Sequence, residues 1–232
     1  MAFNYSPKIV TNGLVLCLDA GNVKSYVSGS TSWNDLTGNK NVGTLTNGPT
    51  FNTGSGGNIV CDGINDYIDC GDAASSIRGT QYFTVEIFGK KPSVGSDFHV
   101  GAWTATNRQG FFLQWYTDST IYFGVNNNTT NSSRYSLTYT SNFNHIVGVF
   151  DGTQALEANK SKIFVNGIQQ NITTFLTCPT SVPSTQVNFY IGYLPNYGYG
   201  ANISAIVRVY NRALTATEIL QNYNATKTRF GL

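Results

Sequence analysis

The chain has 232 residues, 14 basic against 12 acidic side chains, a formal net charge of +2 and 13% aromatic residues. This length can bury a full core as one all-β domain, and a 41% hydrophobic content excludes a disordered chain. Charged residues make up only 11%, below half the usual share, which excludes a long helical coiled coil and leaves little field for gathering nucleic acid or acidic lipid.

Residues 1–12 read as an N-terminal arm ahead of one domain spanning 13–232. The arm has one Lys, one Pro and no unbroken apolar core, and the apolar run 14–18 is far shorter than a signal h-region and ends in Asp19. No stretch approaches the length of a membrane span. The expectation is a soluble chain made in the cytoplasm without a signal peptide.

Alternating or short apolar runs then predict strands at 14–18, 59–61, 67–70, 82–88, 98–103, 111–116 and 121–125. They continue at 135–139, 145–150, 163–165, 187–193 and 203–210. Residues 52–58 and 126–133 read as polar loops, and the clean alternation over 134–139 predicts one wet face. Asn166-Gly167 between apolar runs predicts a type I′ hairpin, because both central positions accept positive φ. Thr215-Ala216-Thr217-Glu218 is a capping box that opens the one convincing helix, with Leu214 and Ile219 placed for a hydrophobic staple. That helix runs through Leu220 and Tyr223 and ends before Gly231. Many short strands separated by turns imply an antiparallel β-sandwich.

Cys17, Cys61, Cys70 and Cys178 show no CxxC spacing and lie in or beside apolar runs, so they read as buried thiols. A Cys61–Cys70 bridge across a short hairpin stays open. Asn-x-Ser/Thr triplets such as Asn131-Ser132-Ser133 and Asn171-Ile172-Thr173 read as compositional accident in a chain rich in these residues.

An ordered series of motifs carries a family resemblance. It opens with Gly13-Leu14-Val15 and Leu18-Asp19-Ala20-Gly21-Asn22. Trp33-x-Asp35-Leu36-Thr37-Gly38-Asn39, Gly43-Thr44-Leu45 and Asp62-Gly63-x-Asn65-Asp66-Tyr67 follow. Val165-Asn166-Gly167 and Val207-Arg208-Val209-Tyr210-Asn211-Arg212-Ala213-Leu214-Thr215 close it. The chain resembles the laminin-G-like, concanavalin-A-like lectin/glucanase superfamily, in the form common in structural proteins of tailed bacteriophages, cyanophages included. The resemblance implies a jelly roll of two antiparallel sheets with one short C-terminal helix. It does not choose between lectin, glucanase and structural module. Physically, Asp19, Asn22, Asp35, Asn39, Asp62 and Asp66 lie at Gly-flanked turns, where short polar side chains bond nearby amides. Trp33 reads as a core plug, and Arg208 and Arg212 read as partners for the turn carboxylates.

Catalysis is disfavoured. A retaining glycosidase needs two carboxyls about 5 Å apart. The chain has only Glu86, Glu157 and Glu218, and Glu86 has no acidic neighbour at the spacing that glucanases of this superfamily use. His99 and His145 are the only histidines and no Gly-x-Ser-x-Gly occurs, so a Ser-His-Asp hydrolase has no support. No cofactor is expected. The resemblance implies calcium near Asn65 and Asp66 in some relatives. No second acidic cluster matches here, so an Asx-turn hairpin without metal is the expectation. Glycan binding has a candidate loop in Asn196, Tyr197 and Tyr199, with Trp103 as a further platform and Trp115-Tyr116 as an alternative.

The expected function is a non-enzymatic virion protein that decorates or cements a capsid, in contact with the major capsid or other virion proteins. Phe3, Tyr5, Pro7 and Ile9 of the arm would add a strand to a neighbour. A homo-oligomer is expected, with a trimer suggested by capsid symmetry. The alternative is an adhesin recognising a host-surface glycan. No nucleic acid or membrane partner is expected.

Overall fold

Apolar alternation and short apolar runs commit much of this chain to strands, and the computed structural model shows how they pair. It describes residues 7–93, 97–116, 119–127, 132–137, 140–175 and 177–232. The first half contains β1 (Leu14–Asp19), β2 (Ser32–Asn34), β3 (Val42–Thr46), β4 (Thr50–Asn52), β5 (Asn58–Val60) and β6 (Tyr67–Asp69). Longer strands follow: β7 (Tyr82–Lys90), β8 (Phe98–Trp103), β9 (Gln109–Trp115), β10 (Thr120–Asn127), β11 (Ser132–Ser136) and β12 (Asn144–Asp151). A single helical turn, α1 (Glu157–Lys160), leads into β13 (Ser161–Val165), β14 (Ile168–Gln169) and β15 (Thr173–Phe175). The chain closes with β16 (Phe189–Ile191), β17 (Tyr193–Leu194), β18 (Gly198–Tyr199), β19 (Ile203–Tyr210) and α2 (Ala216–Thr226).

These strands form two large antiparallel sheets of a sandwich. One runs β14-β13-β12-β7-β19-β5-β4, with β1 also paired to β19. β5 takes the first residues of β19 and β1 takes the rest, so two short strands share one flank. The other sheet runs β15-β11-β10-β9-β8-β16-β6-β3-β2. β17 and β18 form a separate hairpin.

The inner faces make one core. Phe83, Val85 and Ile87 of β7 meet Phe111, Leu113 and Trp115 of β9 and Ile121, Phe123 and Val125 of β10. Trp33 is fully buried in it, as the sequence predicts. Gly148 lies at a close approach of the sheets: a Cβ there would run into the Phe123 ring. A strand-interior glycine of this kind leaves room for a neighbour rather than a turn.

The outer face of the eight-stranded sheet is also buried, beneath α2 and the chain ends. The capping box is present: Thr215 Oγ1 accepts from the Glu218 amide, and Glu218 accepts from the Thr215 amide. Leu214 and Ile219 pack in one cluster with Val10, Val147, Phe164 and Tyr210, which gives the staple its partners. Phe230 covers Phe88, and Gly231 at φ 70° ends the helical tail. Under this cover lies a charged network. Glu86 is ion-paired to Arg208, and His145 Nε2 lies 3.1 Å from Glu86 Oε1. Asn222 Nδ2 donates to Glu86 Oε2 at 2.8 Å and contacts the Tyr210 hydroxyl at 3.0 Å. Burial alone would raise the Glu86 pKa, but Arg208, then His145 and the hydrogen bonds, hold it down at about 2.

Several expectations change. Arg208 and Arg212 do not pair with turn carboxylates: Arg208 takes Glu86, and Arg212 makes a two-pronged pair with Glu218. The cation on Asp19 is Arg229, which also donates to the Ser55 and Gly57 carbonyls. Gly21 makes space for it, since a Cβ there would lie 2.4 Å from Arg229. All four cysteines are buried and free, so Cys61 and Cys70 are not bridged. The arm is not loose from residue 8 on. Gln221 binds the Lys8 carbonyl, the Val10 amide donates to Asn222 Oδ1 at 2.8 Å, and Tyr210 donates to the Val10 carbonyl. Pro7 is exposed and Ile9 half-buried, while Phe3 and Tyr5 lie outside the described residues. The expected loop 126–133 is shorter, because β10 runs to Asn127 and β11 begins at Ser132. Thr138 and Tyr139 of the alternating stretch, and Asn131, lie outside the described residues. The Asn-Gly turn forms as expected, with φ 51° at Asn166 and 80° at Gly167.

Glu86→Gln would leave Arg208 buried without its counter-charge, so it should cost about 3–5 kcal/mol in urea unfolding at neutral pH. Glu86 is more acidic folded than unfolded, so its contribution is complete above the ordinary carboxylate range. It is lost as pH falls toward about 2. That acid limb should shrink in Glu86→Gln. Gly148→Ala should cost about 1–3 kcal/mol by overpacking against Phe123.

Candidate functional site

With one sheet covered on both sides, the outer face of the nine-stranded sheet carries the accessible chemistry. Side chains there come from positions that alternate with the core. β6 presents Tyr67 and Asp69 around inward Ile68, and β16 presents Tyr190 between inward Phe189 and Ile191. The hairpin of β17 and β18 folds over this face. It needs positive φ at Gly192, Asn196 and Gly198 (86°, 71° and 88°). Its Leu194 fills the space above Gly101, where a Cβ would lie 3.2 Å from Leu194 Cδ2.

The hairpin creates two aromatic groups. In one, Tyr67, Tyr190, Tyr193 and Tyr199 pack with tilted or edge-to-face rings. Tyr67 lies 5.9, 5.6 and 6.0 Å from the other three, and Tyr193 lies 4.9 Å from Tyr199. In the other, Tyr197 rests on Trp103 at 6.3 Å and Phe112 at 6.0 Å. Tyr197 and Tyr199 are 40% and 37% exposed, which leaves ring area for a ligand. Burial, and secondarily Asp69, pushes the Tyr190 hydroxyl pKa up; burial, then Tyr199, does the same to Tyr193.

Beside the tyrosines runs a shallow groove of about 310 Å³ lined by Val42, Thr44, Thr46, Asp69, Gly71 and Asn188. Asn188 Nδ2 donates to both Asp69 oxygens at 3.1 and 3.2 Å, and the Gly71 amide donates to Oδ1 at 2.8 Å. Aromatic faces next to a fixed acid–amide pair offer stacking and directional hydrogen bonds together, as a recognition site requires.

The sequence-derived site residues divide. Tyr197 and Tyr199 stand on the exposed hairpin as expected, but in different aromatic groups. Asn196 is exposed, yet its amide nitrogen holds the Ala105 carbonyl at 2.5 Å, so it fixes the hairpin. Trp103 is 1% exposed and supports Tyr197 from below, so it offers no platform to a ligand. Trp115 is a core residue, and Tyr116 packs against Tyr122. Tyr67, Tyr190, Tyr193, Asp69 and Asn188 were missed. For all but Tyr193, which shares the parity of Phe189 and Ile191, alternation with buried Ile68, Phe189 and Ile191 was the available signal.

Around Asn65 and Asp66 the oxygens are spent on the loop. Asp62 Oδ1 accepts from the Ile64, Asn65 and Asp66 amides at 2.8, 3.3 and 3.4 Å, and these bonds, the Ile64 amide first, keep its pKa low. Burial, then Asp62, pushes Asp66 up. Among the described residues no group of three or more His, Cys, Asp or Glu side chains is placed to hold a metal ion. No helix among them is long and apolar enough to cross a membrane.

This architecture matches a known class. A family profile described as the concanavalin A-like lectin/glucanases superfamily matches residues 62–220, and the chain belongs to that family. No curated protein matches. Among solved structures, the Trypanosoma rangeli sialidase in complex with 2,3-difluoro-KDN aligns with TM-score 0.67 at 14% identity over 95% of this chain and 34% of that one. The binding domain of botulinum neurotoxin serotype G aligns with TM-score 0.67 at 13% identity, over 90% of this chain and 50% of that one. Domain 4 of AbnA, a GH43 extracellular arabinanase from Geobacillus stearothermophilus in complex with arabinotriose, gives 0.64 at 16% identity over 90% and 98%. The chain thus spans about a third of the sialidase and half of the toxin domain. At these identities the likeness is one of fold.

His99 gives the site a pH dependence. It is fully buried on this outer face, where a Cβ on Gly200 would lie 2.7 Å from its ring. Asn202 clamps its backbone through both its amide and its carbonyl. Burial lowers its pKa to about 4, so the folded state favours neutral imidazole. The unfolded chain binds a proton first as pH falls, so the His99 contribution to stability should drop between about 6.5 and 4 and stay constant below, where the Glu86 loss takes over. Unfolding curves across that window should show this slope in the wild type and lose it in His99→Gln.

Proposed function

We propose that the chain is a non-catalytic glycan-binding domain displayed on the virion of a tailed bacteriophage. The observation that carries the binding claim is the part-exposed tyrosine group beside the Asp69–Asn188 groove, on the sheet face that the β17–β18 hairpin covers only in part. The lectin-like fold agrees with it, and one fold neighbour is described in complex with arabinotriose. The phage setting rests on the ordered motif resemblance from Gly13 to Thr215.

The chain's three glutamates are already held by partners. Glu86 is sealed by Arg208, His145 and Asn222, Glu218 is engaged by Arg212 at the helix cap, and Glu157 is paired with Lys160 and the Cys178 amide. Asp69 is the one carboxylate lining the groove. A glycosidase of the two-carboxylate type needs a second one across the sugar.

A second reading, capsid decoration through protein contacts, is favoured by the arm. The segment from Lys8 is pinned to α2, and the sequence places Phe3, Tyr5 and Pro7 just ahead of it.

On a glycan array the wild-type chain should bind a defined set of oligosaccharides. Tyr199→Ala and Tyr197→Ala should each weaken that binding roughly tenfold. Absence of wild-type binding overturns the glycan reading. Quantitative mass spectrometry of purified virions separates the settings: a copy number near that of the shell protein favours decoration, a few copies favour an adhesin, and absence removes the phage assignment.

A further inference from the structure

The groove beside the tyrosines also has a sign. Of its six lining residues only Asp69 is charged, and no lysine or arginine lines it. Asp69 is held in place: Oδ1 accepts from the Gly71 amide and Asn188, while Oδ2 accepts from Asn188 alone. A carboxylate has about four lone-pair sites, so Oδ2 keeps acceptor capacity for an incoming hydroxyl. Thr44, directly opposite Asp69 across the β3–β6 pair, is exposed and brings a hydroxyl that donates or accepts. Tyr190, opposite Asp69 on the other side, lies within the carboxylate's field.

Resting on the glycan reading above, we infer that this groove selects neutral sugars: a hydroxyl pair of an uncharged residue is held by Asp69 and Asn188, and carboxylate-bearing sugars are rejected. The physical ground is charge. An acidic sugar would bring a second carboxylate against a fixed one with no cation in the lining, in a part-buried setting where like charges repel more than in water. A neutral sugar donates to Oδ2 and stacks a ring face on Tyr199 or Tyr67.

The test uses probe pairs that differ by their carboxylates: lactose against 3′-sialyllactose, and galactotriose against trigalacturonate, titrated calorimetrically at low and high salt. The neutral member of each pair should bind at least about tenfold more tightly at low salt, with the gap narrowing as salt screens the repulsion. Asp69→Asn keeps the shape and should reduce that gap severalfold. Thr44→Lys, at an exposed position that leaves the Asp69 hydrogen bonds intact, should do the same by neutralisation. Thermal melts report whether each variant is folded. Equal or tighter binding of the acidic members to the wild type overturns the inference. A gap that Thr44→Lys and folded Asp69→Asn both leave unchanged also overturns it. If Tyr199→Ala abolishes binding while neither groove variant alters the ratio, the glycan reading stands and the groove assignment falls. Failure of every probe to bind overturns both.

Discussion

The buried contact between Glu86 and Arg208 is the point on which the rest of the arrangement turns. Two charges in an apolar interior are costly unless they are paired and hydrogen-bonded. Here the engagement comes from distant parts of the chain: Arg208 from β19, His145 from β12, and Asn222 from the C-terminal helix. Asn222 also takes the Val10 amide, which ties the N-terminal segment to the same network. The network therefore positions α2 over one sheet in one register, where an apolar contact alone would tolerate sliding. Specificity of this kind is a known use of buried polar groups.

Covering that sheet decides where function can lie. A two-sheet sandwich has two outer faces, and this chain spends its ends on closing one of them. The other face keeps its polar and aromatic side chains, and the β17–β18 hairpin divides it into two aromatic groups. Leu194 plugs the hairpin into the gap above Gly101, and Asn196 ties its tip to Ala105. The tyrosines are thus held by neighbours at ring distances of about 5–6 Å rather than left to rotate. A ligand then meets rings whose rotamer freedom is already spent, which lowers the entropic cost of binding.

Local signals were legible in the sequence wherever a structure depends on nearby residues. The capping box at Thr215 and Glu218, the Asn166-Gly167 turn, the Leu214–Ile219 staple and most long strands are of this kind. Signals that depend on strand order were not. Glu86 looked isolated because its partners lie 122 and 136 residues away in sequence, across strand and helix contacts. Arg229 closes on Asp19 from 210 residues away, which no local pattern signals. The short strands β2, β3 and β4 carry too few residues for a periodic pattern. Alternation located Tyr67, Tyr190 and Asp69 on one side of their strands, but period two does not say which side meets solvent. Trp103 was misjudged for the same reason: it does lie on the outer face, and the hairpin buries it.

The shape of the groove bears on how such a domain would act. It is shallow and open, and a single sugar residue in it would bury little area. Weak individual contacts become useful when many copies engage one surface, since linked sites gain about 10²–10⁴ in avidity without any new contact. A small rigid domain with its ends tucked against one sheet and its aromatic face turned outward suits repetition on a particle. The glycan and decoration readings then describe two faces of one object. If both readings hold, the covered sheet would serve attachment and the partly open sheet recognition, on opposite sides of the sandwich, so that neither contact would block the other.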